Sequence, residues 1–333
     1  MASAAKGTAT TPFPYVVGRM MSLKSADGED ISVTITKVYP LTKVYSLTKI
    51  YHLTPSTVME VRIRTEKGFQ KAVLKIFDRR FANERVRRGY ASEYPHTQQT
   101  EAAWQDYVRR GSAEVLFDCF RRIDEEEGSG TFSLLYDNDE KPEWERLVEM
   151  EGIICYGEQS SHAQEVQAYR ELQALQGRCI PHFIASVTLD MPSTPPDLPP
   201  TYFEIRGILL QKIRGFKLED VLSKLPNNLL AWEEIVQNAV DAAKEINRAG
   251  VIQNDCGPWH VLVTRLDEHT FRPFIFDFSR AYLKCQYDHT DDPLDWDSFK
   301  AEAISCGNPR AIGFIMVRDV EKATGYKLRI NYD

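Results

Sequence analysis

Residues 249–280 place two carboxylates, Asp255 and Asp277, beside short apolar runs, and this stretch constrains the chain more than any other. It reads Ala-Gly-Val-Ile-Gln-Asn-Asp-Cys-Gly-Pro-Trp-His-Val-Leu-Val, then a polar segment, then Phe-Ile-Phe-Asp-Phe-Ser-Arg. Val261, Leu262 and Val263 predict one short strand, and Phe274, Ile275 and Phe276 its partner, with Asp267, Glu268 and His269 in the hairpin loop. Such a ribbon brings Asp255 and Asp277 to the same end. A carboxylate at the edge of an apolar ribbon is costly without a cation, a metal or hydrogen-bond donors. Two of them converging predict a metal–phosphate site.

The same residues resemble the catalytic loop and metal-binding motif of protein kinases: His-Arg-Asp, four variable residues, Asn, and later Asp-Phe-Gly. Asp255 falls on the catalytic Asp, and Asp277, followed by Phe278, on the metal-binding Asp. Gln253 and Asn254 replace the His-Arg, and Gly257 stands where protein kinases often carry Lys, a residue that small-molecule kinases of the same fold also lack. His260 replaces the metal-binding Asn, and Ser279 the Gly. The resemblance implies ATP and Mg2+ or Mn2+ as cofactors, with Asp277 and His260 as the metal ligands. Magnesium prefers hard oxygen ligands, so an imidazole moves the expected preference toward manganese. The other reading of His260 is a ring packed beside Trp259 and Pro258.

Ala72-Val73-Leu74-Lys75 resembles the strand that carries the family's nucleotide lysine. On a strand Val73, Lys75 and Phe77 share one face, so the charge needs a partner unless it reaches solvent from a strand edge. Ser161 and Gln164 form a capping-box pattern that predicts a helix running to Leu175 before Gly177. Along it Glu165 shares a face with Ala168, Tyr169 and Leu172. A carboxylate on an apolar face asks for a cation, and the resemblance implies Lys75. Glu171 is the competing carboxylate and lies off that face.

Before Lys75, strands are expected from Ser32 and over residues 57–64, with residues 71–77 as the strand of Lys75 itself. A hexapeptide repeats three times over residues 37–54 (Lys-Val-Tyr-Pro-Leu-Thr and two variants) and is read as a tandem duplication in or before the first strand. The turn over residues 52–56 stands where the family uses a glycine-rich phosphate loop. It has no glycine, and Pro55 lacks an N–H, so phosphates are expected to be cradled weakly. Residues 80–160 form an insertion relative to the family: a basic segment with Arg79, Arg80, Arg85, Arg87 and Arg88, helices over residues 98–123 and 143–154, and a flexible acidic link over residues 124–130. The arginines read as a solvated face, and the insertion as a possible protein-binding module. Strands over residues 182–188 and 202–210 lead to Gln211-Lys212-Ile213, which resembles the family's hinge and implies adenine contacts from the backbone of Gln211 and Ile213. Residues 232–249 predict a long helix ending at Gly250. Residues 296–306 and 310–324 predict two more, and no Ala-Pro-Glu follows Asp277.

Composition sets the outer limits. A net charge of −7 and a pI near 5.6 argue against a nucleic-acid binder. No apolar run is long enough to span a membrane. Residues 1–11 lack the apolar core expected of a signal peptide. Six scattered cysteines predict reduced thiols, hence an intracellular protein, cytoplasmic or nuclear.

These readings combine into an α+β, bilobal protein kinase-like fold. It has an N-terminal tail over residues 1–30, a β-rich small lobe over 31–210 with the helical insertion at 80–160, and a shortened helical large lobe over 211–333. The implied function is that of an atypical ATP-dependent phosphotransferase of low activity. There Asp255 acts on the hydroxyl, Asp277 holds the metal and Lys75 steadies the phosphates. The alternative is a pseudokinase, a binding or scaffold module without catalysis. An unrelated α+β domain is the third reading.

Overall fold

The computed structural model describes residues 10–39, 56–66, 68–82, 95–127, 141–189, 195–288 and 293–333. Most of the hexapeptide repeat, the 52–56 turn apart from Ser56, Arg85, Arg87, Arg88 and the end of the acidic link lie outside the described residues. The chain is mixed α and β and divides into two compact units, residues 1–162 with 185–209 and residues 163–184 with 210–333.

The first unit is built on a closed barrel of six strands: β1 (Met20–Ser25), β2 (Asp30–Val38), β3 (Thr57–Thr65), β4 (Gly68–Phe77), β5 (Phe183–Leu189) and β6 (Ile205–Gln211), in the order β1-β2-β3-β4-β6-β5. Alternation drives each strand's inner face into the barrel. Met59, Val61 and Ile63 of β3 meet Ala72, Leu74 and Ile76 of β4, with Leu23, Val33 and Val187, in one buried cluster. The ring closes where β1 pairs antiparallel with β5, Leu23 opposite Leu189. Gly207 lets β6 lie close against β4, because a Cβ there would stand 2.9 Å from the carbonyl oxygen of Lys75.

Of the expected tail over residues 1–30, the described residues 10–30 are therefore not a tail. Met20–Ser25 is a barrel strand, and Thr11 donates its N–H to the His96 carbonyl at 3.0 Å. The β-branched residues that announce β2 are scarce in β1, whose Met-Met-Ser-Leu gives a weaker strand signal.

Helices α1 (Gln98–Arg109), α2 (Ser112–Glu127) and α3 (Glu143–Glu171) follow β4. Thr97 and Thr100 close a reciprocal capping box at the start of α1. Gly111, at φ 75°, breaks α1 from α2. These helices bury their own cluster, in which Trp104, Phe117, Phe120 and Val148 meet Leu198 and Phe203. Two expectations are corrected here. The first part of the acidic link is not flexible, since Asp124 and the residues to Glu127 are the last turn of α2. The capping-box pattern at Ser161 starts nothing either, because α3 runs unbroken over 29 residues from Glu143.

Arg79 and Arg80 are not a solvated face. Arg79 is buried and donates to Glu151 at 2.7 Å and to Glu101, which also meets His96 Nε2 at 2.9 Å. Burial works against the Arg79 charge, but Glu151 and Glu101 outweigh it and raise its pKa. Arg80 grips Asp78 through Nε at 2.9 Å and Nη2 at 2.8 Å, and Tyr15 donates its hydroxyl to the same carboxylate at 2.6 Å. Burial alone would raise Asp78, but the Arg80 guanidinium holds it below the usual carboxylate range.

In the second unit, after β7 (Phe216–Lys217) and the short α4 (Val221–Lys224), α5 (Leu229–Arg248) buries Ile235, Val236, Ala239, Val240, Ala243 and Ile246 along one stripe. It packs against β10 (Phe271–Ile275) and α7 (Asn308–Thr324). β10 pairs with β9 (Val261–Arg265), and β8 (Val251–Ile252) with β11 (Tyr282–Leu283). Helix α6 (Trp296–Cys306) is capped by Asp295, which accepts from the Ser298 N–H at 2.7 Å, and ends at Gly307 in the left-handed region.

Candidate functional site

The two antiparallel ribbons of the second unit decide where Asp255 and Asp277 go. Asp255 lies in the loop from β8 to β9, and Asp277 in the loop from β10 to β11. Because β8 pairs with β11, and β9 with β10 in a register that sets Val261 opposite Ile275, both loops run between the same two ribbons. Phe276 extends the tie by donating its N–H to the His260 carbonyl at 3.1 Å.

Asp277 is buried and has φ 72°, a left-handed conformation that few non-glycine residues adopt. Its Oδ1 accepts from the Ser279 hydroxyl at 2.8 Å, so Ser279, where the family has Gly, steadies the carboxylate. Gln253 is buried too, and its side-chain amide donates to the carbonyls of Phe276 at 2.6 Å and Asp277 at 2.9 Å. Gln253 thus fastens the Asp255 loop to the Asp277 loop, while its own Oε1 is buried with no hydrogen-bond partner. Asp255 itself is half-buried, and its N–H donates back to the Gln253 carbonyl.

His260 is buried. Its ring packs edge-on to Trp259 and Phe276, with Nδ1 2.8 Å from the Asp255 carbonyl oxygen. A carbonyl only accepts, so Nδ1 carries a proton, and any lone pair that the ring offers a cation is on Nε2. That nitrogen stands 3.7 Å from Asp277 Oδ2. Two donors bound to one cation at ~2.1 Å each stand roughly 3–4 Å apart, so the pair fits a divalent ion that accepts nitrogen and oxygen. Among the described residues no group of three or more His, Cys, Asp or Glu side chains could hold a metal, so the protein would supply two ligands and the ion would depend on others.

Glu165 of α3 is fully buried, and its Oε1 accepts from the Phe278 N–H at 3.3 Å. One turn on, the Tyr169 ring meets Phe278 edge-on at 5.4 Å. The Tyr169 hydroxyl is buried without a hydrogen-bond partner. Burial first, then the Glu165 and Asp277 charges, raise its pKa well above the usual phenol value. Glu171 is exposed, paired with Gln167 along its own helix at 2.7 Å.

The remaining predicted residues are placed as follows. Lys75 belongs to the first unit, on β4 opposite Val58, with Nζ 5.4 Å from the centre of the Phe77 ring. It is 4 % exposed, which excludes a lysine reaching solvent from a strand edge. Gln211 gives its backbone N–H to the His182 carbonyl at 2.8 Å and accepts the His182 N–H on its side chain at 3.1 Å, so that N–H is already engaged. Ile213 is buried. Ser56, the last residue of the expected phosphate turn, is buried with its hydroxyl unpartnered. Gln253, Ser279 and Tyr169 are the site residues that sequence reasoning missed. The first two stood out only as departures from the family motif, and Tyr169 only as an apolar position.

No protein-family model matches the chain, and no curated protein matches it. Among solved structures it is similar to one titled "Structure of vaccinia related kinase 3", with 12% identity over 83% of this chain and 55% of that one, and a TM-score of 0.35. The chain thus spans about half the length of that kinase. No helix among the described residues is long and apolar enough to cross a membrane.

Proposed function

We propose that this chain is a divergent protein kinase-like protein that acts as an atypical ATP-dependent phosphotransferase of low activity. The observation that carries the proposal is the Asp277–His260 pair, a buried carboxylate on a left-handed backbone with an imidazole nitrogen 3.7 Å away. Strained backbone kept at a buried carboxylate is a mark of a working site. A divalent cation held there would neutralise charge on a transferring phosphoryl group. Asp255 orients or deprotonates the acceptor hydroxyl, Gln253 keeps its loop against that of Asp277, and Glu165 fixes the same loop through Phe278. Lys75 steadies the nucleotide phosphates, and the backbone around Gln211 and Ile213 receives adenine, with the carbonyl of Gln211 as its acceptor. A protein partner for the α1–α3 region belongs to the same proposal.

One observation favours the second reading, a pseudokinase. His260 spends Nδ1 on the carbonyl of Asp255, and among the described residues no third His, Cys, Asp or Glu side chain joins His260 and Asp277 around the cation position. A binding module needs no more.

Thermal unfolding in the presence of ATP, with manganese or magnesium, tests the nucleotide site. The expected result is a small upward shift, larger with manganese, lost in both Asp277→Asn and Lys75→Met. A full shift retained by both variants would place nucleotide binding elsewhere. Turnover of labelled ATP separates the two readings: slow hydrolysis lost in Asp255→Ala marks a phosphotransferase, and binding without turnover marks a pseudokinase.

A further inference from the structure

In the second unit, the end of α5, helix α6, the start of α7 and the C-terminal segment enclose a cleft of about 400 Å³ that shares no residue with the Asp255–Asp277 site. Its wall carries the side chains of Trp296, Ile304 and Tyr332, and Trp296 and Ile304 are 48 % and 68 % exposed. Four cations line it, Lys244, Arg248, Lys300 and Arg310, against the single carboxylate residue Asp333. Lys244 is engaged by Asp241 and by the backbone carbonyls of Asn331 and Asp333, and Lys300 by Asp297. Arg248 and Arg310 are exposed, and neither is in an ion pair among the described residues. Tyr332 is held over Gly313 of α7, where a Cβ would run into its hydroxyl oxygen, and that hydroxyl is buried without a hydrogen-bond partner.

Small-molecule sites are concave, mostly apolar, and carry a few polar groups that fix orientation. This cleft has that make-up, with an apolar wall, an aromatic plane and two guanidiniums at the rim. Guanidinium pairs with carboxylate, sulfonate or phosphate through two parallel hydrogen bonds, and its planar fork suits such anions better than an ammonium does. A wholly apolar ligand would leave the positive rim without a counter-charge, and a bare inorganic anion would leave the Trp296 side of the cleft bare.

We propose that this cleft binds a small organic anion with an apolar body and one acidic headgroup, the body against Trp296 and the headgroup on Arg248 and Arg310.

Two naphthalene probes of nearly equal apolar surface test it on the full chain by fluorescence titration: anilinonaphthalene sulfonate, which carries the anion, and neutral phenylnaphthylamine. The expected result is saturable binding of one sulfonate per chain, at least tenfold tighter than the neutral probe. The double charge reversal Arg248→Glu/Arg310→Glu should weaken the sulfonate at least tenfold and leave the neutral probe unchanged. Both arginines are exposed, so the double variant should keep the wild-type melting temperature. Arg248→Gln/Arg310→Gln gives a milder second test with the same direction. Trp296→Ala should weaken both probes. Unsaturable sulfonate binding, equal affinity for the two probes, or a sulfonate affinity that survives the loss of both arginines would overturn the proposal.

Discussion

The side-chain amide of Gln253 donates to the carbonyl of Asp277 at 2.9 Å, so a residue two places before one carboxylate holds the backbone that carries the other. Gln253→Leu keeps the bulk but removes this bond and the one to Phe276. Each buried carbonyl left without its donor costs about 1–3 kcal/mol. Urea unfolding should therefore show a loss of about 2–4 kcal/mol with an unchanged m-value. A loss below ~0.5 kcal/mol, within the range of an ordinary surface substitution, would mean that the amide does not hold the two loops.

Backbone conformation and charge at position 277 can be separated. At φ 72° asparagine is tolerated and a β-branched residue is not. Asp277→Val should be less stable than Asp277→Asn by about 1–3 kcal/mol. Only the asparagine variant then isolates the charge, and it should lose any manganese-dependent stabilisation while staying folded. Equal stability of the valine and asparagine variants would contradict the left-handed backbone.

Arg79 lies between two buried or half-buried carboxylates, Glu151 and Glu101. Removing one member of such a set leaves buried charge uncompensated and costs about 3–5 kcal/mol. Arg79→Met should lose this much by chemical denaturation. Adding Glu151→Met should restore part of it, because the second change removes the charge that the first left behind. Additive losses in the double variant would rule out the coupling.

His162 ends the first unit's portion of α3. Its Nε2 is 3.1 Å from the Ser186 hydroxyl, and its ring stands edge-on to Phe77. Burial, helped by the Arg206 charge, pushes its imidazole down to about 4. The unfolded chain therefore takes up this proton first as pH falls. The neutral ring's contribution is complete above pH ~6.5 and is lost on the way down to pH 4, a loss of up to ~3 kcal/mol. Asp78 and Glu101 are both held below the usual carboxylate range, Asp78 by Arg80 and Glu101 by His96 and Arg79, in each case against the effect of burial. Their share of stability is kept down to the ordinary carboxylate range of about pH 4 and lost only below it. Melting temperatures between pH 7.5 and 4.5 should fall more steeply for wild type than for His162→Gln. Parallel curves would show that some other group titrates there.

Local pattern made part of this structure legible. The apolar runs around Val261 and Phe274 announced the β9–β10 ribbon, and the apolar stripe of α5 and the span of α6 over residues 296–306 were readable from local pattern. The buried face of Lys75 was readable from Val73 and Phe77. What stayed hidden depends on partners far along the chain. The polar run around Ser161 imitates a helix start, but only because α3 turns a polar side outward midway along a continuous helix. Arg79 and Arg80 look like surface charge until Glu101, Glu151 and Asp78 are placed around them. The pairing of β1 with β5 has no local signature at all.

That last pairing sets the order in which the barrel can be made. β1 to β4 are synthesised first and can pair only as an open sheet with two unpaired margins, and helices α1–α3 are synthesised before β5 and β6. Until then the row of backbone amides on β1 is exposed to any extended chain nearby, a template for the wrong neighbour. Closure joins segments more than a hundred and fifty residues apart, from Leu23 to Leu189, and such distant joins are slow. The nascent chain is therefore most vulnerable to aggregation in the interval while α1–α3 are being made, and a chaperone that shields the β1 margin would act there.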